Sequence, residues 1–238
     1  MTQVLVPLKD LVEAKSRLSG LLRPSERRAL AQAMAEDVLA VLGRHAQVSR
    51  ITLLSDDPGA AMLAQKYGAN WWPEAELGCR GLNPLISRAC GRLLEERAEP
   101  LIVMHADLPM LDAADIDAVL DAREKGGLVV GCDRAARGTN LLAFDARAVP
   151  EFLFGSDSCS RHLESARNAG ITAHLLKRPG IELDVDEAPD LKLLLENLPG
   201  CRGTNTVALL GNTGLGRRLE AALAEVVVAA ASGHGRST

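Results

Sequence analysis

Short apolar segments with strand character alternate with amphipathic segments along most of this chain. Residues 3–7, 50–55 and 128–132 are strand-like, and the stretch 24–42 places its apolar side chains on one face of a helix. Alternation of this kind is typical of a fold in which helices cover a sheet of several strands. The sequence therefore predicts a layered α/β fold.

Length and composition favour a single globular domain. The chain has 238 residues, enough to bury the core of one large α/β domain. Its formal net charge of −4 provides no basic field to attract polyanions, and aromatic residues make up only 3%. No apolar stretch reaches the length of a membrane span. We therefore expect neither a nucleic acid nor a membrane as a partner.

The five cysteines lie far apart, at positions 79, 90, 132, 159 and 201. They form no Cys-x-x-Cys pair, and no two histidines have the spacing of metal ligands, so we expect neither a zinc site nor a disulfide framework. The first residues are typical of a core strand rather than of a signal peptide. An odd number of cysteines in such a chain predicts a cytoplasmic protein in a reducing environment.

A proline-glycine pair at positions 199–200 indicates a domain boundary. We predict one domain over residues 1–198 and a C-terminal tail over residues 199–238, which is a strand-helix appendage or partly disordered. Within the tail, residues 206–216 resemble a strand that enters a Gly-rich turn, as in dinucleotide sites. Such a site needs a βαβ unit of roughly 30 residues or more, which the tail cannot supply. A dinucleotide-dependent oxidoreductase is therefore a less favoured alternative.

Three aspartates follow segments with strand character. Asp107 comes after the apolar run 101–104 and before a Pro-containing turn, and ligands of open α/β sheets bind outside the carboxyl ends of strands. Residues 181–186 alternate as in a strand, which places Asp184 and Asp186 on one face. Together the three carboxylates predict a Mg²⁺ site. Taken singly, each acid also fits a turn, a helix cap or a solvated strand end.

Three cations, Lys9, Lys15 and Arg17, follow the first predicted strand. Nucleotide phosphates bind at this point in doubly wound folds, so these side chains are candidates to neutralise a triphosphate and the pyrophosphate that leaves from it. The segment lacks the spacing of a P-loop, which argues against an ATPase of that type. The alternative interpretation is a solvated, charged loop.

A second anion site is indicated where residues 155–158 open a predicted helix, because free backbone N–H groups and hydroxyls can surround a phosphate there. The polar loop 138–140 could face it. The plain alternative is that Ser158 is a helix N-cap and Gly138 a turn residue. A triphosphate site, a metal site and a second phosphate site together fit a reaction between a nucleotide and a phosphorylated acceptor.

Two further observations concern histidine and the helix predicted over residues 83–97. No Gly-x-Ser-x-Gly motif occurs, and His105 and His162 have no nucleophile beside them, so we expect no catalytic triad. We interpret His105 as a core residue or as a support of the site. Asn83 is predicted to cap the helix, with Pro84 at its first position.

Seven short motifs occur in order over residues 3–198 and resemble the 2-phospho-L-lactate guanylyltransferase family of coenzyme F420 biosynthesis. They are Pro7-x-Lys9, Ala14-Lys15-Ser16-Arg17-Leu18, Gly81-Leu82-Asn83, Asp107-Leu108-Pro109, Gly138-Thr139-Asn140, Gly155-Ser156-x-Ser158 with His162, and Asp184-x-Asp186 with Asp190-Leu191. The tail after Pro199 is outside the resemblance.

The resemblance implies a Rossmann-like nucleotidyltransferase domain, similar to nucleotide-diphospho-sugar transferases, with a mixed, mostly parallel sheet flanked by helices. Members use GTP and Mg²⁺ to guanylylate a small phosphorylated three-carbon acid and release pyrophosphate. The acid is 2-phospho-L-lactate, phosphoenolpyruvate or 3-phospho-D-glycerate. Two alternatives stay open: another nucleotidyltransferase, of the molybdenum-cofactor or sugar-phosphate type, and a noncatalytic nucleotide-sensing or scaffold protein. A homodimer is compatible with the sequence.

The resemblance also assigns roles to residues. The triphosphate is expected to bind Lys9, Lys15 and Arg17. The nucleotide pocket comprises Pro7, Gly81, Leu82 and Asn83. The acceptor acid is expected at Thr139, Gly155 and Ser158. The metal ligands are expected to be Asp107, Asp184 and Asp186. Pro84 and Ile86 depart from the family pattern near the acceptor, so the identity of the acid is left open.

Overall fold

A seven-stranded sheet forms the centre of the protein. The computed structural model describes residues 1–9, 11, 14–97 and 99–233, with side chains as far as residue 225. The strands are β1 Thr2–Pro7, β2 Val48–Leu54, β3 Asn70–Trp72, β4 Leu101–Met104, β5 Leu128–Cys132, β6 Thr139–Phe144 and β7 Ala173–Leu176. Their order is β3-β2-β1-β4-β6-β5-β7, and β6 is antiparallel to both of its neighbours. This arrangement confirms the α/β class and the mixed, mostly parallel sheet.

Helices connect the strands and cover both faces of the sheet. They are α1 Pro24–Arg44, α2 Pro58–Tyr67, α3 Leu82–Glu96, α4 Ala113–Glu124, α5 Ser158–Asn168, α6 Pro179–Glu182, α7 Ala188–Asn197, α8 Thr204–Gly211 and α9 Gly214–Gly233. Short 3₁₀ turns cover Ser16–Leu18, Glu74–Leu77 and Leu198–Gly200. Over the described part of the chain, none of these helices has the length and apolar character needed to cross a membrane.

The two faces of the sheet bury alternate side chains of each strand, as the period of two requires. In β1, Val4 and Val6 pack on one side with α1, α2 and α4, whereas Leu5 packs on the other side with α3 and α5. A third apolar cluster lies between α1, α7, α8 and α9. The sheet is therefore covered on both faces, and its ligand-binding edge is the one at which the parallel strands end.

The reversed direction of β6 has a consequence for that edge. Because β6 is antiparallel to β4, its first residues lie beside the last residues of β4. The backbone N–H of His105 donates to the carbonyl of Asn140 over 2.9 Å, which continues the pairing just past β4. The predicted loop 138–140 is thereby placed next to the segment that carries Asp107.

The strand predicted over residues 181–186 is wrong. Its first two residues belong to α6, and the others follow in an irregular segment. Ile181, Leu183 and Val185 are nevertheless all buried, so every second side chain enters the core without a sheet partner. The start of α6 lies so close to α4 that a Cβ on Gly180 would collide with the Asp115 carboxylate. Glycine therefore permits the approach that brings the following aspartates to the sheet edge.

The strand predicted at the start of the tail is also wrong, because Thr204–Gly211 is helical. Asp37 of α1 is buried, and its carboxylate accepts from the N–H groups of Asn205 at 2.8 Å and Thr206 at 2.9 Å, which caps α8. The Gly-rich stretch 211–216 joins two helices instead of following a strand, as a dinucleotide site would require. The division of the chain at residue 199 stays a prediction, and residues 234–238 lie outside the described residues.

One pair of cysteines is bonded, contrary to expectation. Cys132 at the end of β5 and Cys159 in the first turn of α5 form a disulfide with Cα atoms 5.8 Å apart. Their sequence separation of 27 gave no indication of a pair, since α5 meets β5 only by packing on the sheet. The disulfide attaches the start of α5 to the sheet. The thiols at positions 79, 90 and 201 are free.

Candidate active site

A cavity of about 400 Å³ opens at the carboxyl ends of β1 and β4. Its walls come from the loop after β1, the first residue of α3, and the segments that carry two of the predicted metal ligands. The lining residues that the sequence had singled out for the site are Pro7, Lys9, Lys15, Arg17, Leu82, Asp107 and Asp186. The fold thus brings the predicted cations and two of the predicted carboxylates into one concave site.

Lys15 lies between the two carboxylates of this cavity. Its Nζ atom is 2.5 Å from Asp107 Oδ2 and 2.8 Å from Asp186 Oδ1. Only 7% of the side chain is exposed. Burial disfavours the charged ammonium, but the two carboxylates outweigh this effect and hold the pKa of Lys15 above its ordinary value. The sequence predicted that Lys15 grips a triphosphate, whereas here it pairs with predicted metal ligands.

Asp107 and Asp184 have opposite electrostatic surroundings. Burial would raise the pKa of Asp107, but the adjacent Lys15 ammonium holds this pKa well below its ordinary value. Among the described residues, Asp184 has no such cation beside it. Burial, together with the negative charge of Asp107, raises the pKa of Asp184 to about 6, although Asn140 Nδ2 donates to its Oδ1 over 3.1 Å. Asp184 therefore ionises only at a cost in free energy.

The predicted Mg²⁺ site fits these residues in part. Asp107 Oδ1 is buried and has no hydrogen-bond partner among the described residues, so it is free to ligate. Within the same residues, however, no group of three His, Cys, Asp or Glu side chains is close enough to hold an ion by itself. Mg²⁺ is commonly bound by one or two carboxylates together with substrate phosphates and water. Asp107 and Asp186 match that mode, and their role as ligands stays a prediction, as does that of Asp184.

The two other predicted cations lie at the mouth of the cavity. Lys9 is exposed, and Arg17 is 69% exposed on its side chain. Arg17 Nη1 pairs with Glu187 Oε1 at 2.9 Å, which links the loop after β1 to the start of α7. An exposed ion pair of this kind is weak, so a bound anion can compete with Glu187 for the guanidinium. Both cations are accessible to a phosphate chain.

The predicted nucleotide pocket is only partly assembled at the cavity. Pro7 and Leu82 line it, while Gly81 and Asn83 do not. The predicted cap at Asn83 is wrong, because the N-cap of α3 is Gly81 with φ at +91°. The Asn83 amide instead binds the backbone of Phe154, accepting from its N–H at 2.8 Å and donating to its carbonyl at 3.1 Å. Asn83 therefore joins α3 to the loop that precedes α5.

The predicted acceptor residues Thr139, Gly155 and Ser158 do not line the cavity. Thr139 Oγ1 is 3.0 Å from Nδ1 of the buried His162, whose Nε2 accepts from the N–H of Leu153 at 2.8 Å. Burial lowers the pKa of His162 to about 4, so the ring is neutral at physiological pH and Nδ1 carries its proton. His162 thus joins β6, α5 and the preceding loop.

Ser158 is the first residue of α5 and is buried. Its interpretation as an N-cap is wrong, because Asp157 occupies that position with φ at +53°. The sequence gave no role to His162 beyond its place in the motif. Its position one helical turn after Ser158 was the available signal, since residues four apart share a helix face.

His105 was interpreted as a core residue or a support, and the structure places it in the cavity wall. Its ring lies 5.6 Å from that of Phe154, and burial lowers its pKa. Phe154 in turn meets the His162 ring edge-on at 5.1 Å. The chain His105, Phe154, His162 is a packed connection between the cavity and the predicted acceptor residues.

A mostly parallel sheet with one antiparallel strand, and cations and carboxylates at its carboxyl edge, fit a nucleotidyltransferase. Solved structures agree on the fold. A nucleotide-diphospho-sugar transferase-type protein of Desulfovibrio desulfuricans has a TM-score of 0.74 at 16% identity, covering 92% of this chain and 97% of its own. A cytidylyltransferase of Leptospira borgpetersenii has a TM-score of 0.55 at 12% identity, covering 100% and 98%.

The sequence identifies the family. Residues 2–215 match the family described as "Guanylyl transferase CofC like", and the chain belongs to it. The phosphoenolpyruvate guanylyltransferase of Chloroflexus aggregans is 36% identical over 196 residues, which are 81% of this chain and 96% of that protein. The enzyme of the same name from Conexibacter woesei is 36% identical over 204 residues, 85% and 91% of the two chains. This protein is a nucleotidyltransferase enzyme of the guanylyltransferase type.

Proposed function

We propose that this enzyme transfers a guanylyl group from GTP to the phosphate of a small phosphorylated three-carbon acid, as a step of coenzyme F420 biosynthesis. The single observation that carries the proposal is the cavity at the ends of β1 and β4, in which basic and acidic side chains lie together. A triphosphate substrate and a phosphorylated acceptor bring several negative charges into one place. Cations and a carboxylate-held metal ion are the groups that such a reaction needs.

The reaction is a displacement at the α-phosphorus of GTP. An oxygen of the acceptor phosphate forms the new P–O bond, and the bond between the α-phosphorus and the bridging oxygen to the β-phosphorus breaks. Pyrophosphate leaves with the electron pair of that bond. The acceptor phosphate is already a nucleophile as a dianion, so no side chain has to remove a proton. Catalysis then consists mainly of positioning and charge neutralisation.

Different residues of the cavity are suited to bind the phosphates and the metal ion. Lys9 and Arg17 are accessible at the mouth and are suited to the β- and γ-phosphates. Asp107 and Asp186 would hold Mg²⁺, with Asp184 close by, and the ion would neutralise charge that develops between the reacting phosphates. His162 keeps Thr139 and the loop before α5 in place by its two hydrogen bonds.

The acceptor is one of three acids, 2-phospho-L-lactate, phosphoenolpyruvate or 3-phospho-D-glycerate. The names of the relatives from Chloroflexus and Conexibacter favour phosphoenolpyruvate as the first acid to assay. Pro84 and Ile86, in the first two turns of α3, differ from the family pattern, and Asn83 connects the start of this helix to the loop before α5. The start of α3 is therefore where a difference in acid preference would arise.

Release of pyrophosphate tests the proposal directly. Purified protein is incubated with GTP, Mg²⁺ and each acid in turn, and ATP and CTP replace GTP as controls. Release that requires GTP and one acid supports the proposed reaction and names the acceptor. Absence of release with every acid would contradict the proposal and direct attention to sugar-phosphate or molybdenum-cofactor substrates.

Asp107→Ala tests the metal assignment. We expect turnover to fall by about 10³-fold or more, since loss of one electrostatic group that stabilises a transition state commonly costs 10²- to 10³-fold and the ion would be weakened as well. Asp121→Ala, which removes an exposed carboxylate on α4, is the matched control. An Asp107→Ala enzyme that keeps most of its activity would exclude Asp107 as a ligand.

A further inference from the structure

We propose that Lys15 is an exchangeable internal cation, which occupies the position between Asp107 and Asp186 until a divalent cation displaces its ammonium toward the nucleotide phosphates. The exchange with the divalent cation rests on the contacts of Lys15. The transfer toward phosphates rests in addition on the proposed function. The inference goes beyond that function, because it gives an order to the binding of metal and nucleotide.

The contacts of Lys15 are those of a cation in a binding site. A single Nζ atom touches one oxygen of each carboxylate, at 2.5 Å and 2.8 Å, and these oxygens belong to residues 92 and 171 positions away in sequence. The ammonium therefore holds together two segments that repel each other by charge. A divalent cation would make the same two contacts with twice the charge, so the two species compete for one position.

Asp107 shows that the ammonium does not complete this site. Its Oδ2 atom binds Lys15, while its buried Oδ1 has no partner among the described residues. A buried carboxylate oxygen without a partner is unfavourable, and an ammonium at Oδ2 cannot satisfy it. A cation that accepts several oxygen ligands can. The acidic site consequently favours replacement of Lys15 once such an ion is present.

The backbone of Lys15 is suited to release. Its φ of +56° and ψ of 38° place a residue with a side chain in the left-handed region, which is strained for a lysine. Such strain persists only where surrounding contacts impose it, and the two ion pairs are contacts of this kind that the side chain makes with described residues. When a divalent cation binds the two carboxylates, they attract the Lys15 ammonium less strongly. The loop can then relax and the Lys15 side chain can move.

The loop also offers Lys15 a second position. Lys9 and Arg17 lie in the same cavity wall, where a triphosphate would bind. Lysine carries a point charge on a flexible stem and can exchange one anionic partner for another. Metal and nucleotide then promote each other's binding, because the metal frees Lys15 for the phosphates and the phosphates stabilise the freed ammonium.

The first test uses the unmodified protein and the accessibility of its lysines. Protein freed of metal with EDTA is treated briefly with an amine-acetylating reagent, and modification of Lys15 is measured by mass spectrometry relative to Lys125, an exposed lysine at the end of α4 that does not line the cavity. We expect slow modification of Lys15 without divalent cations and a rise of about fivefold or more with Mg²⁺, followed by protection when GTP is added without any acceptor. Sodium chloride at matched ionic strength is the control.

The second test measures metal binding directly. Mn²⁺ affinity without nucleotide is determined by electron paramagnetic resonance of the free ion, for wild type, Lys15→Met and Lys9→Met. Lys15→Met should bind Mn²⁺ about tenfold more tightly than wild type, and Lys9→Met, which removes the same charge from the same cavity, should differ by less than about twofold. Circular dichroism confirms that each variant is folded.

Three results would overturn the proposal. One is Lys15 modification that Mg²⁺ leaves unchanged or lowers, which needs no variant. The second is an Mn²⁺ affinity of Lys15→Met equal to that of wild type, which includes the case in which neither protein binds Mn²⁺. The third is an equal gain in Mn²⁺ affinity for Lys9→Met and Lys15→Met. These measurements need neither an acceptor acid nor turnover. Their failure would leave the pyrophosphate assay standing, and a negative pyrophosphate assay would leave the exchange of Lys15 with metal testable.

Discussion

Replacement of Asp184 by asparagine should make the protein more stable at neutral pH. The folded protein raises the pKa of this carboxyl from an ordinary 3.8 to about 6, because it is largely buried and lies near the charge of Asp107. A difference of one pKa unit corresponds to about 1.4 kcal/mol, so the ionised group costs the folded state at most about 3 kcal/mol. Asparagine has nearly the same shape, carries no charge, and its carbonyl can still accept from Asn140 Nδ2.

The sign of the pH dependence follows from the raised pKa. Between about pH 4 and pH 6 the folded protein keeps the Asp184 proton, whereas the unfolded chain has released it. The contribution of Asp184 to the free energy of unfolding therefore falls as pH rises through this range, and the loss is complete above the folded pKa. The advantage of Asp184→Asn should be near zero at pH 4 and about 1 to 3 kcal/mol at pH 7.5.

Urea unfolding of metal-free wild type and Asp184→Asn at several pH values measures this difference. Asp121→Asn, at an exposed position of α4, is the control and should change stability by no more than about 0.5 kcal/mol. A variant that is as stable as wild type or less stable at pH 7.5, or an advantage that does not change with pH, would refute the reasoning. A parallel loss of turnover would indicate that the destabilising charge is kept for catalysis.

Two further predictions concern stability. Asp37→Ala should lower the free energy of unfolding by about 2 to 3 kcal/mol in urea, because the N–H groups of Asn205 and Thr206 lose a charged acceptor; an unchanged midpoint would mean that α8 is not held by this cap. Replacement of Cys132 and Cys159 by alanine should cost about 3.5 kcal/mol, the loop-closure estimate for their spacing. Dithiothreitol should destabilise wild type by the same amount but should not affect the double variant. An equal effect of dithiothreitol on both proteins would contradict the second prediction.

Local sequence patterns predicted strands and helices well where the structure depends on neighbours within a few residues. The apolar run before Asp107 is β4, and the stretch 24–42 with its one apolar face lies in α1. The same reasoning failed at residues 181–186, because the alternate burial there does not come from a strand. Ile181 packs in the cluster that includes α4, whereas Leu183 and Val185 pack in the cluster of α1, α7, α8 and α9. It failed at α8 because a β-branched, apolar stretch was taken for a strand, while a buried aspartate of α1 caps it as a helix.

The candidate site was predicted as a set of residues without their contacts. Short motifs named the cations and the aspartates, and the fold brings most of them to one cavity. No motif could show that Lys15 binds two of those aspartates, that His162 holds Thr139, or that Cys132 bonds Cys159. Each of these contacts joins elements that meet only after the sheet has formed.

The amino-acid order was sufficient for the α/β class, for the position of Asp107 at a strand end, and for the charge composition of the loop after β1. Each depends on neighbours within a few residues, where period and turn chemistry act. The reversed β6, the partners of Lys15 and the contrast between Asp107 and Asp184 came from the assembled fold. They depend on distance and burial between residues as far as 171 positions apart, which are properties of the packed sheet and its helices.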